Sequence, residues 1–236
     1  MTTISSIQPL FQWGGFQGQR RLSDSPYIQS VWEGIANQDG THLTAADGVI
    51  DIAFQKRQGL LRVLLSGPTS RFRTTTFEAG DEFLTIRLRT GVHLPFITSK
   101  KLADIDQFLP NVNKHHFWLQ STPVRFPDFN NVEVFIERLA RIDLLRRSIV
   151  IENVLDNKSH TVSSRTIQRY FLATTGLTLS HIRQIRRAEA ARSLLGGDLT
   201  LTSVAYKVGY SNPAHMTHAF KYFFGRTPSV MRTLMN

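Results

Sequence analysis

The first half of the chain alternates apolar with polar or small residues. Ile50, Ile52 and Phe54 have this spacing, and the segment EFLTIRLRT (82–90) repeats it. A period of two is typical of β-strands with one buried face. Between these segments, the apolar run LLRVLLSGPT ends in a Gly-Pro turn. The pattern predicts a β-rich, barrel-like N-terminal domain, in which the strands form a meander or a small barrel.

Two segments in the N-terminal part have helical spacing instead. The first covers residues 99–109, where apolar residues recur every three or four positions at Leu102, Ile105 and Leu109. The second begins at Asn131 and has spacings of four and three at Phe135, Leu139, Ile142 and Leu145. We expect a short helix in the first segment, and a longer helix in the second that closes the N-terminal domain.

The sequence AYKVGYSNPAHMTHAF (205–220) predicts two helices joined by a tight turn. Val204, Ala205 and Val208 give the first helix an apolar face. Gly209 permits the positive φ that ends a helix. The next helix can begin at Ser211 or Asn212, either of which can accept a capping hydrogen bond, with proline in the first turn.

The outer face of the second helix in this unit is polar and basic. Apolar residues at i, i+3, i+4 and i+7 are predicted to face the core: Met216, Ala219, Phe220 and Phe223. A short polar helix face suits the major groove of DNA, which is about 12 Å wide. A purely structural helical hairpin is the alternative. The predicted DNA-contacting residues are Asn212, Ala214, His215, Thr217, His218 and Lys221.

A similar pattern lies upstream in SSRTIQRYFLATTG (163–176). Ile167, Tyr170 and Phe171 are predicted to face inward. Leu172 is predicted to share the outer face with Arg165, Gln168 and Arg169. Either of the two serines can cap this helix, and Gly176 can end it. Gln can pair with adenine, and Arg with guanine or phosphate, through two hydrogen bonds. The predicted DNA-contacting residues are Ser164, Arg165, Gln168 and Arg169.

Between the two units, residues 179–197 have the pattern of one long helix. Its predicted inward residues are Ile185, Ala188, Ala191 and Leu195. The pair Gly196-Gly197 is expected to stop it. A rigid connector of this kind sets the spacing of the two helical units.

Charge is distributed unequally along the chain. Residues 146–236 contain 13 Lys+Arg and 4 Asp+Glu, a net charge of +9, whereas residues 1–145 contain 15 and 14, a net charge of +1. A basic globular segment attracts polyanions because each phosphate contact releases condensed counterions. The charge of the C-terminal segment therefore favours binding to nucleic acid. The alternative interpretation is a basic surface that serves only solubility.

Composition excludes several classes of function. The chain contains no cysteine, which rules out disulfides, thiolate zinc sites and thiol nucleophiles and favours a cytoplasmic location. No apolar run approaches the ~20 residues that a membrane span needs. Neither His115-His116 nor the pair His215/His218 has a third ligand at suitable spacing. We therefore expect no membrane association, no metal or other cofactor and no catalytic residues.

The motifs of the C-terminal segment, taken together, resemble the DNA-binding domain of AraC/XylS transcription regulators. The resemblance covers residues 163–232. It rests on the run S-x-R-T-I-Q-R-Y-F from Ser163 to Phe171, Thr175-Gly176, Arg187-x-x-x-Ala191-x-x-Leu194-Leu195, Ala205-x-x-x-Gly209-Tyr210, and Phe220-Lys221 with Gly225-x-Thr227-Pro228.

This resemblance implies two helix-turn-helix units that read successive major-groove segments about one helical turn apart. Two positions differ from the family pattern. Asn157 and Thr161 stand where the first turn usually has a small residue and a glycine, and His218 stands where the second helix often has arginine. The segment Ala46 to Ile52 also resembles the N-terminal domain of a subset of these regulators, which implies a sensing or dimerisation module.

We therefore expect an α+β protein with a β-rich sensing or dimerisation domain (1–145) and an all-α, AraC-type DNA-binding domain (146–236). The hypothesis is a sequence-specific transcription regulator whose partners are double-stranded promoter DNA and RNA polymerase. A small-molecule effector on the N-terminal domain and a homodimer stay open. The alternatives are a non-specific architectural nucleic-acid binder and a DNA-modifying enzyme that uses the domain for docking. Alkyl-transfer repair chemistry is excluded because it requires an acceptor cysteine.

Overall fold

The computed structural model describes residues 8–13, 15–159 and 162–235. Strands dominate the first part of the chain, and only helices follow Ser148 in the described residues. The strands are β1 (Gln8–Trp13), β2 (Phe16–Leu22), β3 (Ile28–Ala36), β4 (Gly40–Thr44), β5 (Asp51–Arg57), β6 (Leu60–Ser66), β7 (Arg73–Phe77), β8 (Glu82–Leu88), β9 (Val92–His93), β10 (Asp106–Leu109), β11 (Asn111–Asn113), β12 (His116–Leu119), β13 (Thr122–Arg125) and β14 (Arg146–Arg147). The helices are α1 (Ser99–Leu102), α2 (Val132–Arg141), α3 (Ile149–Leu155), α4 (Ser164–Thr175), α5 (Leu179–Ser193), α6 (Leu201–Lys207), α7 (Pro213–Phe224) and α8 (Pro228–Thr233).

Seven strands form one antiparallel sheet in the order β1-β2-β3-β8-β5-β6-β10. Ile52 and Phe54 in β5 and Ile86 in β8 are buried on one face of this sheet. The alternation of apolar and polar residues therefore predicted these two central strands correctly, and the β-rich N-terminal domain is confirmed.

The barrel-like form is wrong, because the sheet is open. Within the described residues its edge strands are β1 and β10, which do not pair with each other. A second layer covers the buried face instead, formed by the small β11-β12-β13 sheet and by α2. The ring centroid of Phe54 lies 5.8 Å from that of Phe117 and 5.9 Å from that of Phe135. This layer buries the apolar face that closure into a barrel would otherwise bury.

The helix predicted over residues 99–109 is much shorter than expected. Helix α1 ends at Leu102, Asp104 has a positive φ of 58°, and strand β10 follows. Strand β10 pairs with β6, so Leu109 lies opposite Val63. Spacings of three and four in so short a segment did not distinguish a helix from a helical turn followed by an edge strand.

Helix α2 ends earlier than predicted. It stops at Arg141, and Asp143 has a positive φ of 62°. Ile142 is therefore exposed, although Leu145 still packs in the β-rich core after the turn. The helix itself and its buried residues Phe135 and Leu139 agree with the prediction.

The described residues form two hydrophobic cores. One is formed by residues of the β-rich domain between Ile28 and Leu145. The other is formed by the helices that follow Ile151, with one addition from the β-rich domain, the fully buried Ala46. An N-terminal β-rich domain is thus followed by a helical C-terminal domain. None of the helices in the described part of the chain has the length and apolar character that crossing a bilayer requires.

Candidate nucleic-acid interface

Helices α6 and α7 form a helix-turn-helix unit as predicted. Val204 and Ala205 of α6 are buried, and Gly209 adopts a φ of 85° in the turn. The side chain of Asn212, rather than that of Ser211, caps α7: its Oδ1 accepts a hydrogen bond from the backbone N–H of His215 at 2.7 Å. Pro213 occupies the first turn, where its missing N–H costs nothing.

The inward face of α7 also agrees with the prediction. Phe220 is fully buried, and its ring centroid lies 5.0 Å from that of Phe224. Of the outward residues, only Thr217 is half-buried, and its Oγ1 donates to the Pro213 carbonyl at 3.0 Å. The exposed members of the predicted set on this unit are Asn212, Ala214, His215, His218 and Lys221.

The first unit consists of α3 and α4. Ser163 caps α4 by accepting a hydrogen bond from the Thr166 N–H, and Gly176 ends it with a φ of 70°. In the connection between the two helices, Asn157 has a positive φ of 54°. The other position at which this unit differs from the family pattern, Thr161, lies outside the described residues.

All four predicted contact residues on α4 are exposed. Arg165 and Arg169 form no ion pair with any acidic residue in the described ranges, and Gln168 has no side-chain hydrogen bond there. Ser164 is exposed in the first turn of the helix. The guanidinium and amide donors are therefore available to an external partner such as a base edge or a phosphate.

Tyr170 differs from the prediction for α4. Tyr170 was expected to face inward but is 46% exposed, because Ile167 and Phe171 alone fill the inward positions at this level of the helix. Leu172, which shares the outer face, was not among the predicted site residues and is 40% exposed. Its exposure confirms the predicted outer-face position, four residues after Gln168.

Helix α5 connects the two units and buries one face along its length. Ile185, Ala188, Ala191 and Leu195 are all buried in the helical core, as predicted. The helix ends at Ser193, three residues before the glycine pair. Phe171 of α4 and Phe220 of α7 pack in the same hydrophobic core as α5. The two helical units therefore share one core.

Two of the four acidic residues in 146–236 form ion pairs at sites outside α4 and α7. Glu152 pairs with Arg147, and Asp156 pairs with Lys158. Burial raises the pKa of Glu189, against the opposing attraction of Arg192 and Arg87. The positive charge of this domain is therefore left on exposed side chains that include Arg165, Arg169 and Lys221.

The β-rich domain contacts the helical domain away from the outer faces of α4 and α7. Backbone hydrogen bonds join Ala46 N to Phe223 O at 2.8 Å and Phe72 N to Tyr222 O at 3.2 Å. These contacts lie at the C-terminal end of α7. No pattern in the sequence predicted them, because they join residues more than 100 positions apart.

A polar cleft of about 410 Å³ lies between the two domains. Charged residues from both sides line it, among them Asp47 and Arg87 of the β-rich domain and Arg186 and Glu189 of the helical domain. Arg87 donates to Asp47 and Asp51 at 2.8 Å each. Burial raises the pKa of Asp47 to about 6, although Arg87 and hydrogen bonds from Val49 and Thr69 oppose the shift.

The fold and the exposed faces define a double helix-turn-helix protein with an N-terminal β-rich domain. Comparison with known proteins agrees: the family model described as a helix-turn-helix domain matches residues 158–233. The chain is 33% identical over 103 residues to the probable transcription factor PqrA of Proteus vulgaris. This alignment covers 43% of this chain and 84% of PqrA. The chain belongs to the AraC/XylS family of transcription regulators.

Two further proteins are similar to this chain. The transcriptional regulator RipA of Corynebacterium diphtheriae is 44% identical over 70 residues, or 30% of this chain and 21% of RipA. The chain thus spans about a fifth of the length of that relative. Among solved structures, ToxT from Vibrio cholerae aligns with 93% of this chain and 98% of its own, at 13% identity and a TM-score of 0.38.

Proposed function

We propose that the protein is a sequence-specific DNA-binding transcription regulator that reads two adjacent major-groove segments. The observation that carries this proposal is the pair of exposed polar faces, on α4 and α7, built on one helical core. Helix-turn-helix proteins insert the second helix of each unit into the major groove. We therefore refer to α4 and α7 as the recognition helices.

In this proposal residues 146–236 bind DNA and residues 1–145 form the sensing or dimerisation domain. The division is supported by the two separate cores, one within Ile28–Leu145 and the other mainly after Ile151. It is also supported by the charge difference between the two parts of the sequence. The proposal includes no catalytic activity, and the absence of cysteine favours action in the cytoplasm.

Each recognition helix is assigned a contact surface. On α4, Gln168 pairs with adenine, Arg165 and Arg169 with guanine or phosphate, and Leu172 contacts a thymine methyl group. On α7 the residues near the N-terminus approach the base edges, and Lys221 approaches a phosphate. The complete set is Ser164, Arg165, Gln168, Arg169, Leu172, Asn212, Ala214, His215, Thr217, His218 and Lys221.

The proposed partners are promoter DNA and RNA polymerase, since a regulator acts on transcription through both. A homodimer and a small-molecule effector are included as further proposals. The effector proposal is supported by the polar cleft between the domains, whose charged lining suits a small polar molecule. A screen of polar metabolites by thermal shift of the full chain tests it, with a higher melting temperature as the expected result.

Selection of binding sites from random duplex oligonucleotides tests the proposed function. We expect one enriched motif of about 15 to 20 base pairs, with two conserved blocks about one helical turn apart. A non-specific architectural binder would retain DNA without enriching any motif. That result would contradict sequence-specific regulation while leaving nucleic-acid binding intact.

Replacing Gln168 or Arg169 by alanine is expected to weaken binding to the selected site by about 1 to 3 kcal/mol and binding to random DNA by much less. The physical reason is that base-edge hydrogen bonds exist only at the correct sequence. Fluorescence anisotropy with the selected and a scrambled duplex measures both effects.

The matched control for Arg169→Ala is Arg138→Ala on α2. Arg138 is exposed in the β-rich domain, so its replacement removes the same charge at a distance from α4 and α7. We expect the control to change neither affinity appreciably. Equal losses on both duplexes for Arg169→Ala and Gln168→Ala would show that these residues contact phosphates rather than bases.

A further inference from the structure

Three segments of the β-rich domain meet the ends of both recognition helices. They are residues 45–48, 67–72 and 99–104, which we call the brace. The first two segments lie against the C-terminal end of α7, and the third lies against the C-terminal end of α4. The outer faces of both helices stay exposed.

The contact with α4 is short and buried. The Ser99 hydroxyl donates to the Thr174 carbonyl at 2.6 Å, and both residues are less than a tenth exposed. Carbonyls in the last turn of a helix have no partner within the helix, so this bond satisfies one of them. A Cβ added at Gly176 would lie 2.7 Å from the Ser99 carbonyl oxygen, so the two backbones are in direct contact.

The contact with α7 uses the same principle. The N–H groups of Ala46 and Phe72 donate to the carbonyls of Phe223 and Tyr222 in the last turn of the helix. The Phe72 ring also covers Gly225, where an added Cβ would lie 2.8 Å from the ring. Ala46 itself is fully buried in the helical core.

The brace segments are joined to one another. The Asp104 carboxylate accepts hydrogen bonds from both the N–H and the hydroxyl of Ser70, each at 2.7 Å. The Asp104 N–H donates to the Pro68 carbonyl at 3.0 Å, and the Thr69 hydroxyl donates to the Ala45 carbonyl at 3.0 Å. The backbone within each segment and the hydrogen bonds between the segments therefore connect the end of α4 to the end of α7 through the β-rich domain.

We propose that the brace sets the separation of the two recognition helices and so determines which half-site spacing the protein accepts. The proposal rests on the proposed function. Helix α5 already connects the two units from within the helical domain, and the brace forms a second connection from outside it. One base pair corresponds to about 3.4 Å of rise and about 35° of rotation, so a small change in helix separation shifts the preferred spacing.

Two variants weaken the brace without touching the DNA-facing residues. Asp104→Gly removes the carboxylate that holds Ser70, and its φ of 58° suits glycine, so the backbone is not strained. Ser99→Ala removes the bond to Thr174. The matched control is Asp143→Gly, which removes an exposed carboxylate at a φ of 62° where it pairs only with Arg146 among the described residues.

The experiment measures affinity of the full chain for the selected site and for versions with one base pair inserted or deleted between the two blocks. The readout is the ratio of affinities for the native and altered spacings. We expect wild type and Asp143→Gly to prefer the native spacing equally. We expect the preference to fall by about 3- to 30-fold in Asp104→Gly and Ser99→Ala.

Partial unfolding of a variant cannot produce this result, because it lowers the active fraction equally for every duplex and leaves the ratio unchanged. A ratio equal to that of wild type in both brace variants would overturn the proposal. An equal gain of affinity for every duplex would also overturn it, because it would indicate that the brace inhibits DNA binding. Failure of the proposed function is distinct: no motif would then be enriched and no spacing preference would exist in wild type.

Discussion

We expect the affinity for the selected duplex to fall by about 10³-fold when monovalent salt is raised from 50 to 200 mM. The estimate assumes about six phosphate contacts and a slope of about −0.9 per contact in a plot of log K against log salt. Exposed basic side chains of the helical domain supply these contacts. They include Arg165, Arg169, Arg183, Lys207 and Lys221.

The same titration identifies individual phosphate contacts. Lys221→Ala should reduce the slope by about one unit, whereas Gln168→Ala should leave it unchanged, since glutamine carries no charge. Equilibrium binding at five or more salt concentrations gives the slopes. A slope near zero for wild type would show that the basic surface of the helical domain does not contact the DNA backbone.

Replacing Phe220 by alanine should lower the free energy of unfolding of the helical domain by about 3 to 5 kcal/mol. Phe220 is fully buried in the core that α5 shares with both recognition helices, so the cavity affects both units. Binding to the selected duplex should weaken accordingly. Thermal unfolding followed by far-ultraviolet circular dichroism reports the helical transition, and all three tryptophans lie in residues 1–145, so their fluorescence reports the β-rich domain.

The matched control is Phe108→Ala, the same truncation on a side chain that is 54% exposed at the edge of the main sheet. We expect a change of about 0.5 kcal/mol. A similarly small effect of Phe220→Ala would mean that the helical core does not depend on this ring. Burial of its inward face would then not be what holds α7 in place.

The sequence predicted the helical domain well because local signals there agree with one another. In α7, the two capping candidates Ser211 and Asn212 differ by one residue, and Pro213 and the apolar spacing agree with a start there. Gly209 marks the turn before it. The exposure of nine of the ten predicted contact residues follows from that agreement.

The β-rich domain was less predictable, because strand pairing and sheet closure depend on distant residues. The segment after Leu102 has helical spacing but becomes strand β10, since β6 offers it an edge to pair with. The inward assignment of Tyr170 failed because periodicity alone does not show how much room a core has. The contacts of Ala46 and Ser99 with the helical domain have no local signature at all.

Chemical footprinting on the selected duplex tests the central claim most directly. Interference by methylation of guanine N7 reports contact in the major groove, and hydroxyl-radical protection reports the backbone. We expect two patches of major-groove interference on one face of the duplex, with centres about 10 to 10.5 base pairs apart. The patch read by α4 should disappear in an Arg165→Ala, Gln168→Ala, Arg169→Ala triple variant. A single patch, or uniform protection with no interference, would contradict the claim that two recognition helices read the DNA.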